Sequence, residues 1–183
     1  MNELDRRSML RIVAGLALTP SVANPQVPAQ AVHIVPFRAD RTGVPHRAVR
    51  ADSHLDFKVL TGETNGGVFI MENRDMIRGG PPRHVHLEQE EWFFLIEGGD
   101  VLLEIGEQKL RLKPGDSVLA PRNVPHVWAY LGDGPGRMLF AFTPAAKAED
   151  FFIQTSRPDA VVGDQRVFEA HGMKVVGPPL LGY

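Results

Sequence analysis

Two histidines one residue apart, His84 and His86, stand ahead of a carboxylate, Glu91, and a third histidine, His126, follows much later in the chain. Side chains alternate faces along a strand, so the His84 and His86 imidazoles project from the same side. A carboxylate five residues on, after a turn, swings back to the same point. An imidazole from a distant strand would complete the set. Neutral imidazole nitrogen and carboxylate oxygen together suit a divalent first-row metal, and four such donors leave open positions on a five- or six-coordinate ion. Open positions are where chemistry occurs.

These residues sit in two framed blocks. The first holds Gly79, Gly80, His84, His86, Glu91 and Gly98; the second holds Gly115, Pro121 and His126. Together with the wording PPRHVHLEQEEWFFLIEG and VPHVWAY, they resemble the two motifs of the cupin superfamily, in particular its quercetin 2,3-dioxygenase-like single-domain branch, over roughly residues 53–143. The resemblance implies His84, His86, Glu91 and His126 as metal ligands. Glu90 also fits the ligand spacing, but the six residues between Glu91 and Gly98 favour Glu91. It further implies that Glu91 doubles as the base taking a substrate's hydroxyl proton. The chain departs from the motifs at three places. Arg78 replaces a glycine, with Gly79 and Gly80 next to it, Asn123 replaces another, and Tyr130 stands where the second motif closes with Asn. Asn tolerates a left-handed backbone better than most residues, so the turn at Asn123 can survive.

The implied cofactor is one divalent ion of iron, manganese, nickel, cobalt or copper. Zinc fits less well, because it favours a closed tetrahedral set. By strand parity Trp128 and Tyr130 share the His126 face, and Phe93 and Leu95 share the Glu91 face. Phe93, Trp128, Tyr130 and Phe140 are therefore expected around the metal, with Phe142 and either Phe69 and Met71 or Val68 and Ile70 beside them. Such an apolar, aromatic pocket suits a planar, weakly polar substrate such as a flavonol or related enol. His33, His46, His54 and His171 lack comparable partners and read as ordinary structure, and Glu88 and Glu90 as a solvated turn.

Short β-branched and aromatic runs separated by turn signals must carry this site. They recur at Val32–Phe37, Leu55–Leu60, Val68–Glu72, Trp92–Ile96, Val101–Ile105, Gln108–Leu112, Ser117–Ala120, His126–Leu131 and Met138–Phe142. Pro114-Gly115 has the residues a type II turn wants at its centre. Many short strands at this spacing predict an all-β sandwich or barrel, and the resemblance selects the cupin double-stranded β-helix, a jelly-roll barrel. The barrel domain is read as residues 32–143. After it, Thr143 as N-cap and Pro144 as first helical residue predict a helix over Ala145–Gln154. Asp164–His171 forms a second, stopped by Gly172. With the apolar tail Gly177–Tyr183 they make a helical extension, 144–183, expected on the barrel exterior or against a second subunit in a homodimer.

The 183 residues suffice for one domain with a sizeable core. A net charge of −2, with both signs interspersed, offers no stripe for phosphates, so nucleic acid and anionic membrane are excluded as partners and a small molecule is expected. There is no cysteine, which leaves any metal to histidine and carboxylate. Arg6-Arg7 followed by apolar Ile12–Leu18 resembles a twin-arginine export signal over residues 1–31, with cleavage after Ala31 or Ala23. That apolar run is far shorter than a membrane span, so periplasmic or secreted protein is expected. Loss of residues 1–31 would leave 17 basic against 20 acidic residues, a charge of −3.

Three readings of the site remain open from sequence. The first is a dioxygenase acting on an enolic aromatic compound. The others are a binding or sensor module without turnover, and a metal-dependent isomerase or decarboxylase.

Overall fold

The computed structural model describes residues 34–48 and 53–180. The stretch read as an export signal, both expected cleavage positions, His33 and the last three residues lie outside them.

Eleven strands are present among the described residues: β1 His46–Arg47, β2 His54–Val59, β3 Phe69–Met76, β4 Arg83–His86, β5 Glu90–Glu97, β6 Val101–Ile105, β7 Gln108–Leu112, β8 Ser117–Ala120, β9 His126–Tyr130, β10 Gly136–Thr143 and β11 Met173–Gly177. They form two antiparallel sheets, ordered β1-β2-β3-β10-β5-β8 and β11-β4-β9-β6-β7. The architecture is the all-β jelly roll anticipated. Alternation explains why these segments pair face to face. Met138, Phe140 and Phe142 of β10 are buried while Arg137, Leu139 and Ala141 between them are less so, and β6 repeats the pattern with Val101, Leu103 and Ile105. The inward side chains of both sheets make one core around Phe57, Phe69, Phe93, Leu95, Leu103 and Phe140.

The turns follow local chemistry. Asp116 N–H donates to Lys113 O at 2.9 Å with Gly115 at φ +95°, which is the type II geometry expected of Pro114-Gly115. Asn123 does adopt a left-handed φ of 63°, and its N–H donates to His86 O at 2.7 Å, tying the second block to the first.

Three expectations change. The first strand, Val32–Phe37, is not formed in its described part. Ile34 is exposed, Phe37 lies in a turn under the Arg137 guanidinium at 4.4 Å, and Pro36 has no N–H to give a ladder. Thr143 does not cap a helix. It is the last residue of β10 and its hydroxyl donates to Gly67 O, so helix α1 starts later, at Ala148–Thr155, while α2 spans Gln165–Ala170 behind the Asp164 cap. Ahead of the apolar tail, Met173–Gly177 is a strand, β11, which pairs with β4 beside the histidines. The helices α1 and α2 lie against the barrel by one face each: Phe151 and Phe168 pack together and Phe168 meets His84 edge-on at 5.6 Å, while Asp150, Gln154, Arg166 and Glu169 are exposed.

Candidate metal centre

His84 and His86 rise from β4, and His126 from β9 directly opposite His84 in the ladder. These three come from the five-stranded sheet. Glu91, second residue of β5, reaches them from the six-stranded one. Their donor atoms all lie within 4.8 Å of one another, and all four residues are buried. The nitrogens Nε2 of His126, His86 and His84 stand 2.9, 3.1 and 3.9 Å from Glu91 Oε2. Glu90, the rival by spacing, turns outward and is held by Arg122 through two hydrogen bonds at 2.5 and 2.8 Å. Glu91 is thus the carboxylate of the cluster.

The tautomers show what the cluster needs. His84 Nδ1–H donates to Pro82 O at 2.8 Å, so in the neutral ring its Nε2 lone pair faces Glu91 Oε2, while His126 Nε2 stands at hydrogen-bond distance, 2.9 Å, from that same oxygen. Lone pairs aimed at a carboxylate repel. Both ring nitrogens of His86 are buried without a hydrogen-bond partner. A cation among these atoms would turn repulsion into attraction, and hard-to-intermediate N and O donors fit a divalent first-row ion. The residues therefore fit the metal.

Burial, together with the neighbouring charges of His126 and His86, pushes His84 down to about 3. Burial opposes the charge on Glu91, yet the hydrogen bond from His126 and the positive charge of the His86 and His126 imidazoles beside it outweigh burial and hold the carboxyl below its ordinary range. Between roughly pH 6.5 and 3 the unfolded chain carries a proton on His84 that the folded chain refuses, so stability falls as pH drops through that window. Glu91 adds to the loss below roughly pH 4.5, since its unfolded form takes up a proton first. The melting temperature of chelator-treated protein, followed by circular dichroism, is expected to decline steadily from pH 6.5 downward. A flat profile to pH 4 would contradict this environment.

Residues 76–142 match the model of the cupin domain family. Among solved structures, an RmlC-like cupin from Shewanella frigidimarina superposes with a TM-score of 0.51 at 16% identity, over 66% of this chain and 97% of its own. The fold is a cupin barrel. A predicted oxalate decarboxylase from Thermotoga maritima shares it, with a TM-score of 0.51 at 11% identity over 61% of this chain and 98% of that one. No curated protein matches the sequence. Identities this low speak to the barrel and not to its reaction.

Inside the cupin barrel the cluster opens onto a cavity of about 380 Å³. Trp128, Phe140, Phe142 and Met71 line it as anticipated, as do His84, His86 and Glu91. Phe93 and Tyr130 do not. Phe93 is buried between His126 and Phe140 as core, at ring distances of 6.0 and 5.4 Å. Tyr130 faces inward at the other end of its strand, where its hydroxyl accepts from Gly99 N–H and donates to Gly134 O, both at 2.8 Å. Parity gives a side chain's face but not its depth, and four residues of strand carry Tyr130 roughly 13 Å from His126.

The sequence reading missed Gln89, Asn73, Arg78 and the phenylalanines of the C-terminal helices, Phe151, Phe152 and Phe168, all of which line the cavity. Gln89 carried a signal, its even spacing from Glu91; the helical residues carried none, because only the fold-back of α1 and α2 brings them there. Of the histidines read as ordinary structure, the three described ones have structural partners. His46 stacks on Phe57 at 4.2 Å, His54 pairs with Asp75, and His171 donates to Val167 O.

Proposed function

We propose that the protein is a periplasmic, mononuclear metal-dependent dioxygenase acting on an enolic aromatic compound of the flavonol type. The observation that carries this reading is the convergence of three imidazoles and one carboxylate, of which His84, His86 and Glu91 line the wall of an apolar, aromatic cavity large enough for such a molecule. His84, His86, Glu91 and His126 would hold the ion. Bound there, an iron, manganese, nickel, cobalt or copper ion supplies Lewis acidity and redox chemistry with dioxygen.

The chain's own residues do the rest. All three imidazole contacts fall on Glu91 Oε2. The other carboxylate oxygen carries none of them, and it takes the proton of the substrate's enolic hydroxyl. Trp128, Phe140 and Phe142 offer flat apolar surface against which a planar ring system lies. Phe151 and Phe168, brought over the cavity by α1 and α2, exclude water from the reacting groups. The Arg6-Arg7 pair with the apolar run behind it supports the periplasmic part of this reading, and export in the folded state would let the metal be loaded beforehand.

Oxygen uptake by metal-loaded protein with a panel of flavonols tests the reading. The wild type is expected to consume dioxygen with at least one of them, and Glu91→Gln to lose a factor of about 10²–10⁴, the usual contribution of a positioned base. No uptake with any of the five metals would remove the assignment. Turnover under anaerobic conditions would move it to an isomerase or decarboxylase, and unchanged ligand by mass spectrometry to a binding protein.

A further inference from the structure

Gln89 is fully buried, and neither Oε1 nor Nε2 of its amide has a hydrogen-bond partner within the protein. It nonetheless lines the cavity, alongside His86 and Glu91. Gln89 immediately precedes β5, and its burial in the cavity wall sets it on the same side as Glu91, whereas Glu90 turns out to Arg122. A buried amide with both its donor and its acceptor unanswered is costly, and buried polar groups in folded proteins are overwhelmingly paired. The apolar residues around the cavity offer it nothing. A residue of this kind persists where its partner arrives from outside.

We propose that Gln89 is the specificity-determining hydrogen-bond anchor of the cavity. It reads a ligand that presents a carbonyl and a hydroxyl on adjacent carbons. The amide N–H₂ donates to the carbonyl and the amide oxygen accepts from the hydroxyl, a pairing that a purely apolar ligand or an isolated ketone cannot satisfy. The inference rests on the small-molecule reading above and narrows it to hydroxy-ketones of enolic type. Glu91 and the histidines grip the reacting end, and Gln89 fixes which way round the ring system sits.

Gln89→Met, nearly the same in shape and without polar atoms, tests this, with Gln89→Leu as a second apolar variant. Manganese-loaded protein is titrated calorimetrically with 3-hydroxyflavone and with flavone, which keeps the ring carbonyl and lacks the hydroxyl. The wild type is expected to prefer 3-hydroxyflavone, and both variants to lose about tenfold or more of that preference. Manganese content stays at the wild-type level. In the ligand-free protein the melting temperature rises by about 2–6 °C, because an unanswered polar group has left the interior. A lowered melting temperature shows an amide already satisfied inside the fold and overturns the proposal. So does a tenfold loss of manganese affinity, which shows a group that braces the ligands, and so does an unchanged preference. Should the wild type bind neither flavone, the flavonol reading falls by itself; a raised melting temperature in both variants then still supports Gln89 as an anchor for some other ligand, and a lowered one refutes it.

Discussion

His126→Ala is expected to lose metal binding by more than a hundredfold and to leave the protein near zero metal content where the wild type is expected to carry one ion per chain. Removing an outer partner of a ligand costs about 10–100-fold in affinity, and His126 is proposed as a ligand itself. The fold should survive the change. β9 keeps its ladder with β6 through backbone groups, and Val127 and Ala129 stay buried on either side of Trp128. Elemental analysis gives the content and calorimetric titration the affinity. Thermal stability offers an independent check, because an ion that binds only the folded state stabilises it by about 4 kcal/mol at a thousandfold excess over its dissociation constant. In a domain of this size that is roughly 8–16 °C in melting temperature. Wild type should show this rise on adding metal and lose it to a chelator, while His126→Ala should show neither. Equal metal content in the two proteins would place the ion elsewhere and dissolve the cluster as a centre.

What was legible in the sequence was whatever a few neighbouring residues decide. The pair His84 and His86 could be read as one face because strand alternation is local. Pro114-Gly115 and Asn123 could be read as turns because φ preference belongs to the residue. Glu91 could be chosen over Glu90 only through the resemblance, and the geometry agrees, with Arg122 drawing Glu90 to the surface. The errors lie where distant segments compete. Thr143 and Pro144 have the residues of a helix start, yet β10 continues through Thr143 because β5 supplies a ladder partner that far, Glu90 opposite Thr143. The run ending at Phe37 has strand composition, but with Pro36 in it and Arg137 waiting above the Phe37 ring it becomes a turn. Lys174 and Val175 pair across β4 with Val85 and His84, a register that no pattern within Met173–Gly177 announces. The mouth of the cavity is built from such long-range pairings, and it was therefore the least readable part.

Tyr130→Ala is expected to destabilise the protein by about 3–5 kcal/mol, as large-to-small changes at buried aromatic positions do, while leaving metal content at the wild-type level. The Tyr130 ring is completely buried, and three glycines are shaped around it. A Cβ built at Gly132, Gly136 or Gly98 would stand only 2.1, 2.5 or 2.6 Å from atoms of the Tyr130 side chain. Those contacts mean that ring and loops fit only as a set, so the cavity left by Ala cannot be refilled by small shifts. Tyr130→Phe separates the ring from its hydroxyl. It keeps the packing and removes both the acceptor for Gly99 N–H and the donor to Gly134 O, for an expected loss of about 1–3 kcal/mol. Gly132→Ala should resemble Tyr130→Ala in cost although it adds atoms, since the ring would have to leave its seat. Chemical denaturation measures all three. The contrast that decides the role of Tyr130 is between stability and ligand binding. A residue locking the loops 98–100 and 132–136 changes the first and spares the second, whereas a residue orienting a ligand at the metal would do the reverse. If Tyr130→Phe unfolds like the wild type but binds 3-hydroxyflavone less tightly, the hydroxyl belongs to the pocket after all.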